Sequence, residues 1–170
     1  SLHTMSKKVL ITGASSGFGK LTTKTLLEAG HEVVGSMREK DGRNKAVASE
    51  LRDLGAKIVE LDVTSDDSVE QGVAAAFEAL NGLDVVINNA GVGVLGFQEQ
   101  FTTEDFQKLF DINVFGVQRV CRASIPHFRK QGSGYMIFIS SVLVRFALPF
   151  SGPYNASNWG VEAMADNYRA

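Results

Sequence analysis

Three glycines stand where a short apolar run meets a helical pattern, in Thr12-Gly13-Ala14-Ser15-Ser16-Gly17-Phe18-Gly19. Glycine permits a tight turn and lets the backbone approach a ligand closely. The amino end of the following helix offers free N–H groups and a positive dipole, which bind phosphate. An ordinary glycine-rich turn is the alternative, but the strand–turn–helix context favours phosphate binding. We therefore predict that the diphosphate of a dinucleotide is bound by Gly13, Ser15, Ser16, Gly17, Phe18 and Gly19.

The end of the second predicted strand indicates which dinucleotide is bound. NAD-binding domains usually place an acidic side chain there, about 20 residues beyond the glycines. Here Met37 occupies that position and Arg38 follows it. Because a guanidinium binds phosphate through several donors, the sequence favours NADP(H) over NAD(H). The alternative is that Arg38 is a solvated charge and that Glu39 turns toward the ribose.

A second glycine cluster, Gly91-Val92-Gly93-Val94-Leu95-Gly96, fits the dinucleotide pattern G-x-G-x-x-G more closely than the first. A phosphate site needs a helix amino end at the glycines. Here residues 97–101 separate Gly96 from the next helical signal at Thr102. We therefore do not assign the diphosphate to this cluster, and we expect its glycines to let a loop pass close to bound cofactor.

The elements that must hold these residues alternate along the chain. Apolar runs predict strands at residues 9–12, 32–37, 57–63, 83–88 and 135–140. Helices are predicted at residues 17–29, 47–54, 65–80, 103–130 and from 153 onward, and the apolar stripe of the first comprises Phe18, Leu21, Thr25, Leu26 and Ala29. Strict alternation predicts an α/β fold of the Rossmann type over residues 6–170, with a doubly wound parallel sheet in three α/β/α layers. A ligand then lies beyond the carboxyl ends of the strands.

Composition excludes several classes of function. The chain has 170 residues, 44% hydrophobic and 21% charged, with a net charge of −2, which suits one globular domain and provides no basic stripe for nucleic acid. The single cysteine, Cys121, fits a reducing compartment. No apolar run reaches the roughly 20 residues of a membrane span, so we expect a cytoplasmic protein. Histidine spacing predicts no metal site. Residues 1–4 are expected to be a vector remnant, with Met5 the native start.

Further polar positions follow the later strands and helices. They are Asp62 after the third strand, Asn88-Asn89-Ala90-Gly91 after the fourth, Asn113 in the long helix, Ser140-Ser141 after the fifth strand, and Tyr154. Together with the first glycine turn, this set resembles the short-chain dehydrogenase/reductase family over essentially the whole chain after Met5.

The resemblance implies a role for each position. Asp62 and Val63 would contact the adenine, and the run Asn88, Asn89, Ala90 and Gly91 would stabilise the sheet and line the cofactor. Asn113 would help to hold a proton-relay water. Ser141 would polarise the substrate carbonyl, and Tyr154 would transfer the proton. It also implies a small-molecule carbonyl or alcohol substrate. Pairing of the long and last helices would produce a homodimer or homotetramer.

Asn158 departs from the family pattern, because the resemblance implies a lysine four residues after Tyr154. An unperturbed tyrosine has a pKa of about 10, and a neighbouring positive charge would favour the phenolate. Residues 154 and 158 share a helix face, but asparagine carries no charge. We expect weaker activation of Tyr154 and a turnover lowered by roughly 10²–10⁴-fold.

Several interpretations stay open. Asn113 lies on a buried helical stripe, where its side chain must be hydrogen-bonded, and a purely structural bond to a kinked backbone turn is the alternative to catalysis. Tyr154 alone could be a half-buried aromatic, and Ser141 an ordinary strand-end serine. The chain could be an NADP(H)-dependent oxidoreductase, transferring hydride between nicotinamide and a carbonyl or alcohol and impaired by Asn158. The second hypothesis is a non-catalytic NADP(H)-binding sensor or scaffold on the same fold, and the third is an inert product that aggregates through the fifth strand.

The resemblance also implies two further strands and a substrate-covering loop after the last helix, so the fold is expected to be truncated after that helix. The fifth strand, Tyr135-Met136-Ile137-Phe138-Ile139, is apolar on both faces and would lie at an open edge. Such an edge invites pairing with another chain.

Overall fold

The structure, a computed structural model, describes residues 5–169. The expected vector remnant at residues 1–4 lies outside this range, as does residue 170. Strands and helices alternate within it. The strands are β1 (Lys8–Ile11), β2 (Glu32–Met37), β3 (Lys57–Glu60), β4 (Val85–Asn88) and β5 (Tyr135–Phe138). The helices are α1 (Gly17–Glu28), α2 (Lys45–Asp53), α3 (Asp66–Ala79), α4 (Thr103–Phe110), α5 (Gly116–Gln131) and α6 (Gly152–Asn167).

The strands form one parallel sheet in the order β3-β2-β1-β4-β5. This confirms the predicted Rossmann-type α/β fold. The chain winds outward from β1 in one direction through β2 and β3, and then in the other through β4 and β5. The topological switch point therefore lies between β1 and β4, and a ligand crevice is expected beyond the carboxyl ends of these two strands.

Alternation along the strands divides the core into two layers. Val9 and Ile11 of β1 pack on one face with Leu51 of α2, whereas Leu10 packs on the other face with Phe77 of α3. All five side chains are buried. Because both faces of the central strands are covered, the sheet is held rigidly and its carboxyl edge forms a fixed platform.

The first helix buries a different face from the one predicted. Phe18 and Leu21 are 79% and 60% exposed, while Gly19 and Thr23 are buried. The prediction of a Phe18–Leu21 stripe was wrong because α1 approaches the sheet so closely that only small side chains fit beneath its first turns. Periodicity of large apolar residues does not detect such a face.

The long predicted helix is interrupted. Residues Asp111–Phe115 form a π-helical turn between α4 and α5. A π turn inserts an extra residue into the helix and displaces the side chains that follow. Three strands are also shorter than predicted, since β3 ends at Glu60 rather than residue 63, β4 begins at Val85 rather than residue 83, and β5 ends at Phe138 rather than residue 140.

The edge position predicted for the fifth strand is confirmed. β5 pairs with β4 on one side and lies at the end of the sheet. Tyr135 and Ile137 are 73% and 45% exposed, whereas Met136 and Phe138 pack toward α5 and α6. Across residues 5–169, no helix combines the length and apolarity needed to cross a bilayer.

Candidate functional site

A groove of about 690 Å³ runs along the carboxyl ends of the strands, at the predicted switch point. Its volume falls within the range of small-molecule and cofactor sites. Of the residues assigned to the site from sequence, every one except Ser141 lines this groove. The fold therefore brings the diphosphate turn, the end of β2, the end of β4 and the start of α6 to one place.

The glycine turn lies at one end of the groove. Gly13 has a φ of +71°, and a Cβ there would lie 2.9 Å from Ala90 Cα. A Cβ on Gly19 would lie 2.0 Å from the carbonyl oxygen of Gly13. The first helical hydrogen bond of α1 runs from Lys20 N to Ser16 O, so the N–H groups before Lys20 have no intrahelical acceptor. The turn thus has the compact backbone and the donors that a diphosphate requires.

Thr12 and Asn89 connect this turn to the loop after β4. The Thr12 hydroxyl oxygen accepts hydrogen bonds from the N–H groups of Asn89 and Ala90, both 3.0 Å long. The Asn89 amide donates to the carbonyl oxygen of Thr12 at 2.9 Å. These bonds hold the glycine turn and the loop after β4 in a fixed arrangement. Thr12 was not assigned to the site from sequence, although its place before the first glycine was a usable signal.

The end of β2 also lines the groove, next to the glycine turn, where Ala14 N donates a hydrogen bond to Ser36 O at 2.9 Å. Met37 is buried in the core, so the position typical of an acidic ribose ligand is held by an apolar side chain. Arg38 and Arg43 both line the groove. Arg43 was missed from sequence because it lies beyond the strand, and only its spacing of five residues from Arg38 hinted at a second cation.

Asp62 lies in the same region. Burial works against its ionisation, but hydrogen bonds from the N–H and hydroxyl of Thr64 and the positive charge of Arg38 together hold the pKa of Asp62 below its usual value. Asp62 is therefore an acceptor at neutral pH. An ionised acceptor beside Val63 suits an adenine or ribose, whose exocyclic and hydroxyl groups donate hydrogen bonds.

Asn113 lies in the π turn, buried and facing the loop after β4. Its amide oxygen accepts a hydrogen bond from Val92 N at 2.9 Å, and its amide nitrogen donates to Val92 O at 2.8 Å and to Ser157 Oγ at 3.2 Å. The Ser157 hydroxyl in turn donates to the carbonyl oxygen of Tyr154 at 2.7 Å. Asn113 thus has a structural role that joins the π turn to the start of α6. Its role in proton relay stays a prediction.

Tyr154 and Asn158 line the groove from the first turns of α6. Tyr154 is half-buried, and Asn158 is buried. The Asn158 amide donates to the backbone carbonyl oxygen of Tyr154 at 2.9 Å. A Cβ on Gly93 would lie 4.0 Å from the Tyr154 ring, so the second glycine cluster does pass beside this residue.

The two serines after β5 differ in their environments. Ser140 lines the groove, and its hydroxyl is buried with no hydrogen-bond partner among residues 5–169. Ser141 lies outside the groove lining, and its hydroxyl accepts a bond from Leu143 N at 3.2 Å, which caps the short 3-10 turn Val142–Val144. The sequence assigned the substrate contact to Ser141 alone, and the adjacent Ser140 was missed.

Comparisons with known proteins agree with this geometry. A family profile described as short chain dehydrogenase matches residues 7–170. The chain is 38% identical over 158 residues to the 3-ketodihydrosphingosine reductase of Bacteroides thetaiotaomicron, covering 93% of this chain and 55% of that protein. It spans about half to two thirds of the length of the curated relatives it matches.

Solved structures show the same fold. A short-chain dehydrogenase/reductase from Burkholderia phymatum in complex with NAD superposes with a TM-score of 0.86 and 30% identity, covering 96% of this chain and 59% of that one. A variant of actinorhodin polyketide ketoreductase with NADPH superposes with a TM-score of 0.87 and 29% identity, covering 96% and 64%. The chain therefore belongs to the short-chain dehydrogenase/reductase family of oxidoreductases.

Proposed function

We propose that this chain is the dinucleotide-binding part of an NADP(H)-dependent oxidoreductase acting on a carbonyl or alcohol. The observation that carries the proposal is the pair of arginines at the end of β2, Arg38 and Arg43, on a groove where Met37 replaces an acidic residue. A 2′-phosphate would meet two guanidinium groups there, with the apolar Met37 at the position of the usual acidic ribose ligand. Solved relatives bind NAD in one case and NADPH in another, so the choice rests on these side chains.

When bound, the nicotinamide supplies or accepts the hydride. In our proposal the protein contributes the proton. Tyr154 donates it from its phenol to the carbonyl oxygen during reduction and takes it back during oxidation. A tyrosine that transfers a proton near neutrality works best beside a positive charge. Asn158 does not provide one, so we propose that turnover is slow.

A hydroxyl near Tyr154 would polarise the substrate carbonyl. Ser141 is the candidate from family resemblance, and the buried hydroxyl of Ser140, which has no hydrogen-bond partner within residues 5–169, is a second candidate. An unpaired buried donor is costly, and a substrate oxygen would satisfy it. Comparing Ser140→Ala with Ser141→Ala separates the two, since the polarising serine should lower kcat/KM by roughly 10²–10³-fold.

The substrate is proposed to be apolar. The loop after β4 and the loop before α6 are joined by a hydrogen bond from Gly96 N to Phe150 O at 2.9 Å. They also make an edge-to-face contact between Phe97 and Phe150. Leu95 and Phe146 on these loops are 79% and 52% exposed, and Phe97 and Phe150 are each 54% exposed. Exposed apolar side chains on two joined loops of this kind favour a hydrocarbon body over a sugar or an acid.

A non-catalytic NADP(H)-binding protein is the second candidate. It is favoured by Asn158, whose uncharged amide is already bonded to the helix backbone. Both candidates predict cofactor binding, and only the first predicts turnover. Measuring NADPH consumption with a panel of apolar ketones at saturating NADPH distinguishes them.

The cofactor proposal is tested by titrating NADPH and NADH and following nicotinamide fluorescence. Wild type is expected to bind NADPH more tightly. Arg38→Ala should weaken NADPH binding by roughly 10- to 100-fold, the value of a charge-assisted contact, and leave NADH binding nearly unchanged. Arg129→Ala, an exposed arginine on α5, is the matched control. Equal affinity of wild type for the two dinucleotides would contradict the proposal.

A further inference from the structure

We propose that Glu60 is a positioning residue for cofactor selectivity, holding the loop after β2 so that Arg38 and Arg43 face the groove together. This inference rests on the proposed preference for NADP(H). Glu60 ends β3 and lies outside the groove lining. It would therefore act on the cofactor only through the arginines.

The Glu60 carboxylate binds two consecutive backbone amides. One oxygen accepts a hydrogen bond from Glu39 N at 2.6 Å, and the other accepts from Lys40 N at 3.0 Å. Charge-assisted hydrogen bonds to both carboxylate oxygens fix orientation as well as distance. Glu60 also pairs with Met37 in the sheet register, so the bonds connect the loop to a rigid strand.

These bonds hold a strained backbone. Glu39 has a φ of +50°, in the left-handed region that residues with a side chain rarely adopt. Such a conformation persists when surrounding contacts over-determine it. The two bonds to Glu60 are placed directly at this residue and its successor. Without them, the loop is expected to relax to an ordinary conformation and to turn the following residues.

The same conformation closes the loop on itself. The carbonyl oxygen of Glu39 accepts hydrogen bonds from the N–H groups of Gly42 and Asn44, both 3.0 Å long. The Asn44 side-chain amide donates to the carbonyl oxygen of Arg38 at 2.6 Å. This ring of bonds keeps Arg38 and Arg43 on the same side of the loop, although they are five residues apart.

Glu39 offers Arg43 a weak partner that a phosphate would replace. Its carboxylate lies 3.4 Å from the Arg43 guanidinium, and the two side chains are 58% and 61% exposed. An exposed pair of this kind is weak. A 2′-phosphate, with more charge and more acceptors, would displace the carboxylate from Arg43. A cofactor that lacks this phosphate gains nothing from the exchange.

The test uses Glu60→Gln, which keeps the size of the side chain but loses its charge and places an NH₂ group against one of the two N–H donors. We expect NADPH affinity to fall roughly tenfold and NADH affinity to change less than about twofold. The readout is nicotinamide fluorescence, so no turnover is required. Glu78→Gln, an exposed glutamate on α3, is the matched control and should leave both affinities unchanged.

A double-mutant cycle with Arg43→Ala separates positioning from general destabilisation. If Glu60 acts through Arg43, Glu60→Gln should weaken NADPH binding much less in the Arg43→Ala background than in wild type. Equal losses in both backgrounds, or equal losses for NADPH and NADH, would overturn the positioning role while leaving the NADP(H) proposal intact. A wild type without preference for NADPH would overturn both.

Discussion

Asn158 donates a hydrogen bond from its side-chain amide to the backbone carbonyl oxygen of Tyr154, 2.9 Å away and one helical turn earlier. The amide is thus engaged with the helix backbone and brings no charge to the phenol. A lysine at this position would place an ammonium group on the same helix face. We expect Asn158→Lys to raise kcat for ketone reduction by roughly 10²–10⁴-fold, measured as NADPH consumption.

Asn158→Met is the control, because methionine approaches lysine in length without its charge. It should leave kcat near the wild-type value. Tyr154→Phe in the Asn158→Lys background should remove the gain. If the lysine and methionine variants turn over at the same rate, the charge argument fails, provided that circular dichroism shows both to be folded.

The glycine turn and the sheet could be predicted from sequence because both depend on local signals. Gly13 and Gly19 follow an apolar run and precede a helical period, and only a backbone without Cβ atoms fits where these two lie. Parallel pairing then follows from strict alternation. The burial of α1 could not be predicted in the same way, since the contact is made by Gly19 and Thr23 rather than by large apolar residues.

The π turn at Asp111–Phe115 and the environments of Ser140 and Ser141 lay beyond sequence reasoning. A π turn depends on tertiary contacts, here including the Arg119 guanidinium, which donates to the carbonyl oxygens of Val63 and Asp111. The two serines are adjacent, and successive residues at a strand end point in different directions. Which hydroxyl lines the groove is therefore decided by where β5 ends.

Substitution of Gly19 tests the diphosphate site. A Cβ there would lie 2.0 Å from Gly13 O and 2.6 Å from the Asn89 amide nitrogen, so the turn must shift. We expect Gly19→Ala to lower stability by about 1–3 kcal/mol and to weaken NADPH and NADH binding alike, since both carry the diphosphate. Urea unfolding and fluorescence titration measure the two effects.

Gly160→Ala is the matched control for this substitution. Gly160 lies within α6, where a Cβ would make an ordinary 3.5 Å contact with Val114, and alanine favours a helix by about 1 kcal/mol over glycine. It should be tolerated and should leave cofactor affinity unchanged. Retention of full dinucleotide affinity by folded Gly19→Ala would contradict the assignment of the diphosphate to this turn.

Glu50 predicts a specific pH dependence of stability. Hydrogen bonds from Lys20 and Lys24 of α1 lower the pKa of Glu50 in α2 from 4.5 to about 2. A carboxyl whose pKa is lower in the folded state stabilises the fold above its unfolded pKa and loses that contribution as the pH falls through the folded value. Glu50→Gln should therefore lower the urea midpoint at pH 7, and the difference should shrink below pH 4.5 toward pH 2.

High salt should reduce the same difference at pH 7, because both ion pairs are solvent-accessible. Glu70→Gln, an exposed substitution on α3, is the control. A difference between wild type and Glu50→Gln that stays constant from pH 7 to pH 3 would exclude this ion-pair contribution.

Cys121 reports on the packing of α6 against the sheet. Burial raises the pKa of its thiol to about 12, against the opposing effects of the nearby Tyr168 hydroxyl and of a hydrogen bond from the Asn88 amide. Because the thiolate is the reactive species, we expect the native chain to resist an aromatic disulfide reagent at pH 8 and to react fully in urea.

Cys121 packs with Val161 of α6, so labelling requires this helix to detach or the domain to unfold. Labelling rates that rise before the circular dichroism transition would show that α6, which carries Tyr154, opens first. Rapid labelling of the fully folded chain would contradict the buried environment of this thiol.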